Sequence, residues 1–407
     1  MGDLSPTFSS LNKMYTSNLV IKVASLCNLN CTYCYVYNMG DDSYRKQPKF
    51  MSQEVIEAML YKIKDNCIDN NLNEFFIIFH GGEPLLAGID FYRDFVNTQK
   101  KIIPNNILIE YSMQSNGTLL TDEWVTVLKE LNIQVGISID GSPSSNNTNR
   151  IYHNGKGSYD DIVRGFKIVK KIYGDEMANC LCVIDTTQKA SEVYTHFKKL
   201  GVNSVHFLFQ DFNYIKSSQE DVPKVGKWLI EMFNLWYADT DQIKPNVRPL
   251  TDLIALIFGK SRGTENFGNS INQTLVVQSD GSIETVDTLK ICGNGFTDTV
   301  FNVLKDDLNV IYKESNLARM YYKSHDDLCN TCQNCPIEPV CGGGYLGHRF
   351  SKINLFDNPS IYCREIIELI CHIQNEILND MSIDAIQYSE IEYLNFNDVI
   401  NSFPNSK

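Results

Sequence analysis

The sequence has no apolar run of the about 20 residues that a membrane-spanning helix needs. Its first fifteen residues, MGDLSPTFSSLNKMY, lack a charged stretch followed by an apolar one, so no signal peptide is predicted. Acidic residues (49) outnumber lysine and arginine (36), and the resulting net charge of −13 argues against a general nucleic-acid binder. We therefore expect a cytoplasmic protein that binds neither nucleic acid nor membrane.

Cysteine, by contrast, is plentiful, with 13 in 407 residues. In a chain without an export signal, cysteines are metal ligands or core thiols rather than disulfide partners. Three lie within residues 27–34 and five within residues 329–363, so two metal sites are predicted. The others are expected to be core or free thiols, although Cys329 in place of Cys332 stays open as a ligand.

Strand and helix patterns alternate over the first 210 residues. Candidate strands are 19–24, 75–79, 107–111, 134–139, 181–184 and 204–209, and candidate helices are 52–66, 91–102, 121–131, 159–172 and 190–200. This alternation predicts an α/β fold with a partial (β/α)6 TIM-like barrel, whose active site lies at the carboxyl ends of the strands. We divide the chain into an N-terminal arm (1–17), the barrel (18–237), a bridging segment with a smaller iron–sulfur domain (238–378) and a tail (379–407).

The first thiol group, Cys27, Cys31 and Cys34, directly follows the first predicted strand. Three thiolates can hold three irons of a [4Fe–4S] cluster and leave the fourth iron open for a small ligand. The alternative is a zinc site that lacks one ligand, but structural zinc nearly always has four.

The CxxxCxxC spacing, with Tyr33 before its last cysteine, resembles the radical S-adenosylmethionine (SAM) superfamily. Three later segments also resemble motifs of that family: HGGEP at 80–84, QSNGT at 114–118, and SIDG at 138–141 followed by an arginine. The resemblance implies a [4Fe–4S] cluster, SAM on its open iron, and cleavage to a 5′-deoxyadenosyl radical that abstracts hydrogen, with a flavodoxin or ferredoxin as reductant. The residues implied to bind SAM are Tyr33, Gly81, Gly82, Glu83 (which would pair with its amine), Ser115, Asn116, Ser138, Asp140 and Arg150.

The second thiol group consists of Cys332, Cys335, Cys341 and Cys363. Four thiolates suit a [4Fe–4S] cluster and structural zinc equally. The spacing is similar to the SPASM domain of peptide- and protein-modifying radical SAM enzymes, which implies an auxiliary [4Fe–4S] cluster. Such domains commonly hold two clusters, but Val286 and Tyr345 stand where further cysteines are expected. The resemblance therefore implies that one auxiliary cluster is kept and one is lost.

Residues 280–290 and 341–349 resemble maturases of ribosomal peptides that form three-residue cyclophanes. This resemblance implies a precursor peptide as substrate and a carbon–carbon cross-link between an aromatic ring and a side-chain β-carbon, with His348 and Arg349 lining the peptide site or forming a structural turn. Asp287 aligns with a catalytic carboxylate of sulfatase-maturing relatives, or it is a surface turn residue. The alternative functions are a formylglycine-forming sulfatase maturase and a non-catalytic iron–sulfur electron carrier.

Only about 17 residues precede the first predicted strand, which is too few for a separate leader-binding domain. We therefore expect any leader peptide to bind the barrel, a sheet edge or a separate partner.

Overall fold

The computed structural model describes residues 13–260 and 264–403, and a nine-stranded sheet forms the centre of this part of the chain. Its strands are β1 Asn18–Ala24, β2 Glu74–Gly81, β3 Leu108–Ser115, β4 Ile133–Ser138, β5 Asn179–Val183, β6 Ser204–Leu208, β7 Asn246–Val247, β8 Thr274–Val277 and β9 Ile283–Glu284. They lie in the order β7-β6-β5-β4-β3-β2-β1-β8-β9. All neighbours are parallel except β8 and β9. Most of the predicted N-terminal arm lies outside the described residues.

A helix follows each of the first six strands, which confirms the predicted partial (β/α)6 barrel. The helices of the barrel and of the segment that follows it are α1 Gln53–Asp69, α2 Ile89–Ile102, α3 Asp122–Glu130, α4 Pro143–Asn149, α5 Tyr159–Tyr173, α6 Ala190–Leu200, α7 Val225–Ala238 and α8 Arg248–Ile257. Two predicted helix starts have the expected caps, because the Ser52 and Thr121 side chains accept bonds from Val55 N and Trp124 N, respectively.

The remaining helices are short apart from one that closes the C-terminal region. They are α9 Val310–Glu314, α10 Asn316–Tyr322, α11 Asn330–Gln333, α12 Glu338–Cys341, α13 Cys363–Asp380, α14 Ile383–Ser389 and α15 Phe396–Asn401. Asn375 on α13 bonds with Leu394 just before α15, so part of the predicted tail packs against α13. Among the described residues, no helix has the length and apolarity to cross a membrane.

The Asp280-Gly281 sequence is typical of a hairpin turn, and β8 and β9 form that hairpin, with Gly281 at a positive φ of 87° in its turn. It does not stand apart from the barrel, because β8 pairs in parallel with β1 and so extends the barrel sheet. The sheet therefore crosses the predicted boundary at residue 237, and the division into domains stays a prediction.

Candidate active site

A cavity of about 250 Å³ opens at the carboxyl ends of the barrel strands, the edge that the strand pattern predicts. The loop after β1 and the ends of β2, β3 and β4 supply polar residues to its wall. The segment after β6 and the C-terminal region supply others, among them Asp211, Glu265, Tyr345 and His348. Both regions of the chain thus face one cavity.

The three cysteines of the first group all line this cavity. Burial is the main cause that raises the pKa of Cys27 to about 12 and that of Cys31 to about 11, and it also raises the pKa of Cys34. The neighbouring thiols add to the shift of Cys27, because three thiolates this close repel one another. A multiply charged metal centre would relieve that repulsion, so the donor set fits an iron cluster held by thiolates.

Arg150 is a fixed cation in the cavity wall. Its Nε lies 3.1 Å from Asp140 Oδ2, and the Tyr33 hydroxyl donates to the same carboxylate. The Tyr33 ring lies 5.7 Å from the guanidinium, and Val183 N donates to the other Asp140 oxygen at 3.1 Å. Although burial opposes the charge, Asp140 raises the pKa of Arg150, so the guanidinium stays charged and fits an anionic ligand group.

The paired glycines at the end of β2 allow the chain to pass close to the loop after β1. A Cβ added to Gly81, whose φ is +130°, would lie 2.2 Å from Ala24 O. A Cβ added to Gly82 would lie 2.1 Å from Leu26 O and 2.2 Å from the Tyr37 hydroxyl. Only glycine fits either position without moving the cysteine loop.

Glu83 is fully buried and does not line the cavity. Its carboxylate accepts bonds from Ser115 Oγ and Asn116 N, both at 2.8 Å, and from Leu85 N at 3.1 Å. Burial raises its pKa to about 7 despite these bonds. Glu83 therefore fixes the end of β3, where the Asn116 amide lies 3.9 Å from Cys27 Sγ, and its predicted contact with the SAM amine stays a prediction.

Asp287 is buried, so the interpretation as a surface turn residue is wrong. It forms an ion pair with Lys22 on β1 and accepts from the Tyr35 hydroxyl at 2.7 Å, while Lys22 also donates to His80 Nδ1 at 2.9 Å. Burial alone would raise the pKa of Asp287, but Lys22 and His80 hold it below its usual range. Tyr35 and His80 line the cavity and Asp287 does not, so its carboxylate is connected to the cavity wall through Tyr35 directly and through Lys22 to His80.

Residues 21–200 match the Radical SAM superfamily. This part of the chain is a radical SAM domain. A cysteine-type anaerobic sulfatase-maturating enzyme from Clostridium novyi (strain NT) is 29% identical over 369 residues, covering 86% of this chain and 93% of that protein. A serine-type anaerobic sulfatase-maturating enzyme from Bacteroides thetaiotaomicron is 26% identical over 361 residues, with coverages of 82% and 83%. The solved structure of native anSMEcpe with bound AdoMet and Cp18Cys peptide is 26% identical with a TM-score of 0.73, covering 89% of this chain and 98% of that one.

The radical SAM enzyme uses a [4Fe–4S] cluster and SAM as cofactors. The cavity described above fits them, since its wall combines three thiols, a fixed arginine and a closely approaching glycine backbone. Ser138 also lines the cavity, where its hydroxyl accepts a bond from Gln114 Nε2 at 2.8 Å.

Two carboxylates in the wall, Asp211 and Glu265, are absent from the sequence prediction. Burial, with Asp287 and Glu265 nearby, raises the pKa of Asp211 to about 7. Burial also raises the pKa of Glu265, which accepts a bond from the Tyr321 hydroxyl. Asp211 follows β6 by three residues, so its position after a strand end was the signal in the sequence. Nothing in the sequence marks Glu265.

His348 and Arg349, which the sequence analysis places in the peptide site or in a structural turn, have different roles. His348 lines the cavity and stacks on Phe209, with ring centroids 6.2 Å apart, and burial lowers its pKa to about 3, which keeps the imidazole neutral. Arg349 is buried and donates to the carbonyls of residues 342–344 at 2.9–3.1 Å. Arg349 therefore supports the structural turn, and only His348 faces the cavity.

In the second thiol group, Cys332 lies on α11, Cys341 ends α12 and Cys363 begins α13, while Cys335 lies between α11 and α12. The Cys363 thiol interacts electrostatically with Cys341, Cys335 and Cys329, and Cys332 with Cys341 and Cys363. All four predicted ligands are therefore brought together, and Cys329 joins them. Among the described residues, no three His, Cys, Asp or Glu side chains meet at the spacing of a single-ion site.

Val286 and Tyr345, which replace cysteines expected in a full SPASM domain, are both buried, and Val286 lies in an apolar cluster. The Tyr345 hydroxyl bonds with Thr288. A phenol and a valine are not cluster ligands, so these two positions hold no iron.

Proposed function

We propose that this radical SAM enzyme oxidises a cysteine or serine side chain of a protein substrate to formylglycine. The observation that carries the proposal is the similarity to anaerobic sulfatase-maturating enzymes, which extends beyond the barrel over 86% of the chain. A related solved structure with bound peptide supports a peptide substrate. We expect a cytoplasmic enzyme that receives electrons from a flavodoxin or ferredoxin.

When bound, SAM supplies a 5′-deoxyadenosyl radical that removes a hydrogen atom from the substrate. We propose Cys27, Cys31 and Cys34 as the ligands of the SAM-binding cluster. Arg150 would meet the carboxylate of SAM, because it is a charged and pre-positioned donor in the cavity wall. Gly81 and Gly82, at and just after the end of β2, would let the backbone approach the methionine portion of SAM. Four of the other proposed SAM contacts line the cavity, namely Tyr33, Ser115, Asn116 and Ser138, and the fifth, Asp140, accepts a bond from Tyr33.

After the hydrogen atom is removed, oxidation of the substrate radical releases one electron and one proton. The electron would pass to the auxiliary cluster, and a carboxylate beside the cavity can accept the proton. A serine then gives the aldehyde directly, whereas the thioaldehyde formed from a cysteine gives it on reaction with water, with release of sulfide. Asp287 is one proposed acceptor, but its carboxylate is already paired with Lys22 and Tyr35. Asp211 lines the cavity, and its pKa of about 7 suits a general base near neutral pH. We propose Asp211 as the direct acceptor, with Asp287 as the charge that helps to tune it.

A second candidate function is the cross-linking of an aromatic ring to a side-chain β-carbon in a ribosomal precursor peptide. Val286 and Tyr345 favour it, because they stand where the resemblance predicts ligands of a first auxiliary cluster. For either reaction, we propose that Cys332, Cys335, Cys341 and Cys363 hold a single auxiliary cluster. The full-length similarity favours formylglycine formation over this reaction.

The test uses anaerobically reconstituted, reduced enzyme with SAM and two sulfatase-derived peptides that carry cysteine or serine at the modified position. We expect deoxyadenosine and a product that a hydrazide probe traps as an aldehyde. A Cys31→Ala variant is the control and should form neither. In parallel, the enzyme is co-expressed with the small peptide encoded beside it. Loss of two hydrogens there without a trapped aldehyde, and no product from the sulfatase peptides, would overturn the main proposal in favour of cross-linking.

A further inference from the structure

The C-terminal metal site contains one thiol more than a [4Fe–4S] cluster requires. A four-iron cube takes four thiolates, one for each iron. The described chain brings five thiols together: Cys329, Cys332, Cys335, Cys341 and Cys363. One of the five must therefore be surplus at any moment, and the contacts among them show which pair shares a position.

Cys329 and Cys332 are the two thiols in direct contact. Cys329 caps α11, a single helical turn, and Cys332 lies three residues later on the same side of that turn. The two side chains pack together with Leu328 in a small buried cluster, and their thiols interact electrostatically. Both also interact electrostatically with Cys363. Either sulfur is thus placed toward the remaining ligands.

The other cysteines nearby do not show this pairing. Cys371 lies two turns after Cys363 inside the main core, where it interacts electrostatically with Cys335. Cys292 packs with Val286 and Leu289 in the separate apolar cluster and is close to Asp211 rather than to the five thiols. Cys371 is therefore a matched control, since it is buried beside the site without facing Cys329 or Cys332.

We infer that Cys329 and Cys332 are interchangeable ligands of one iron in the auxiliary cluster. The thiol that is not bound remains as a hydrogen-bond donor to the bound sulfur, as neighbouring groups of metal ligands commonly do. Loss of either thiol leaves four in place, whereas loss of both leaves three. The inference rests on the auxiliary cluster proposed above, but not on which substrate the enzyme modifies.

The experiment isolates the auxiliary cluster in the full chain by replacing Cys27, Cys31 and Cys34 with alanine. Into this parent are introduced Cys329→Ser, Cys332→Ser, both together, and Cys371→Ser as control. Iron content, visible absorption and electron paramagnetic resonance of the reduced protein are measured after anaerobic reconstitution. We expect about four irons per chain in the parent, the control and each single variant, and loss of the cluster in the double variant. A shifted resonance in Cys332→Ser would report the exchanged ligand.

The remaining outcomes are each decisive. A parent without iron would refute the auxiliary cluster itself. If only one of the two single variants loses the cluster or the fold, and the alanine variant behaves in the same way, the other cysteine is not a ligand. That result would overturn the inference. Loss in both single variants, or a cluster that survives in the double variant, would overturn it as well. Circular dichroism separates loss of iron from loss of fold.

Discussion

Residues of one chemical type behave differently around this cavity because their partners differ. Asp140 and Asp287 each face a buried cation, Arg150 and Lys22 respectively. Asp211 faces other carboxylates instead, and among the described residues Arg150 is the only lysine or arginine that lines the cavity. An aspartate without a counter-ion in a buried wall has a raised pKa and is available to take up a proton.

This raised pKa predicts a pH-dependent stability. Between the ordinary aspartate pKa of 3.8 and the value of about 7 for Asp211, the folded protein binds more protons than the unfolded one. The contribution of Asp211 to the free energy of unfolding therefore falls as pH rises through this window. Asp211→Asn removes the titration, so its stability relative to wild type should increase by about 2 kcal/mol between about pH 5.5 and about pH 8.

Anaerobic thermal unfolding at the two pH values measures this difference. Asp90→Asn serves as control, because Asp90 lies on α2 with its side chain exposed to solvent. The control should show the same difference from wild type at both pH values. If Asp211→Asn also shows a constant difference, the Asp211 carboxyl does not carry the raised pKa.

The sequence motifs identified Asp140, Arg150 and the first three thiols, since each follows a strand within a short recognisable segment. They did not give the partners of Asp287, because Lys22 lies 265 positions away and only the closing of the barrel brings the two together. Glu265 was missed for the same reason, since no local pattern marks it. Asp211 follows a strand end, but it belongs to no recognisable motif, and the cavity that it shares with Glu265 shows its importance.

At the level of elements, the barrel strands were predictable because runs of β-branched and aromatic residues alternate with capped helices. The structure extends β2 to Gly81 and β3 to Ser115, beyond the predicted ends, since pairing with the neighbouring strands continues there. The motif residues 80–81 and 114–115 therefore sit on the strands themselves. The hairpin was predictable from its Asp-Gly turn, but its parallel pairing with β1 was not, because strand neighbours depend on the tertiary fold.

The close approach of β2 to the cysteine loop predicts the effect of Gly82→Ala. The new Cβ would clash with Leu26 O and the Tyr37 hydroxyl at about 2 Å, so the loop must move and its thiols with it. We expect loss of the about four irons of the SAM-binding cluster and of deoxyadenosine formation, with the auxiliary cluster kept. Iron analysis measures the cluster content, and chromatography of the reaction measures the deoxyadenosine formed.

Gly155→Ala provides the comparison for this substitution. Gly155 has a positive φ of 81°, but an added Cβ meets no atom within 4 Å. It should cost about 1–2 kcal/mol of backbone strain and leave the iron content unchanged. Equal iron content in Gly82→Ala and wild type would show that the cysteine loop tolerates the displacement.

At the scale of the whole molecule, the two thiol sites differ in their position relative to the cavity. Cys27, Cys31 and Cys34 line the cavity, whereas the five C-terminal thiols lie within the segment from Cys329 to the start of α13, and none of the five lines the cavity. The regions are nevertheless one structure, because β8 extends the barrel sheet and α13 packs against α7 and α8. The C-terminal site can therefore shape the cavity wall through His348 without contacting SAM.

This arrangement predicts a division of labour between the sites. Cys31→Ala removes a ligand at the cavity and should abolish cleavage of SAM, whereas Cys335→Ala should weaken folding or product formation and leave some cleavage. Each variant should retain about four of the about eight irons of the intact enzyme. Deoxyadenosine, modified peptide and iron are measured in parallel on both variants under anaerobic conditions. If Cys335→Ala remains folded but releases as little deoxyadenosine as Cys31→Ala, the C-terminal thiols take part in SAM cleavage, and the predicted division of labour is wrong.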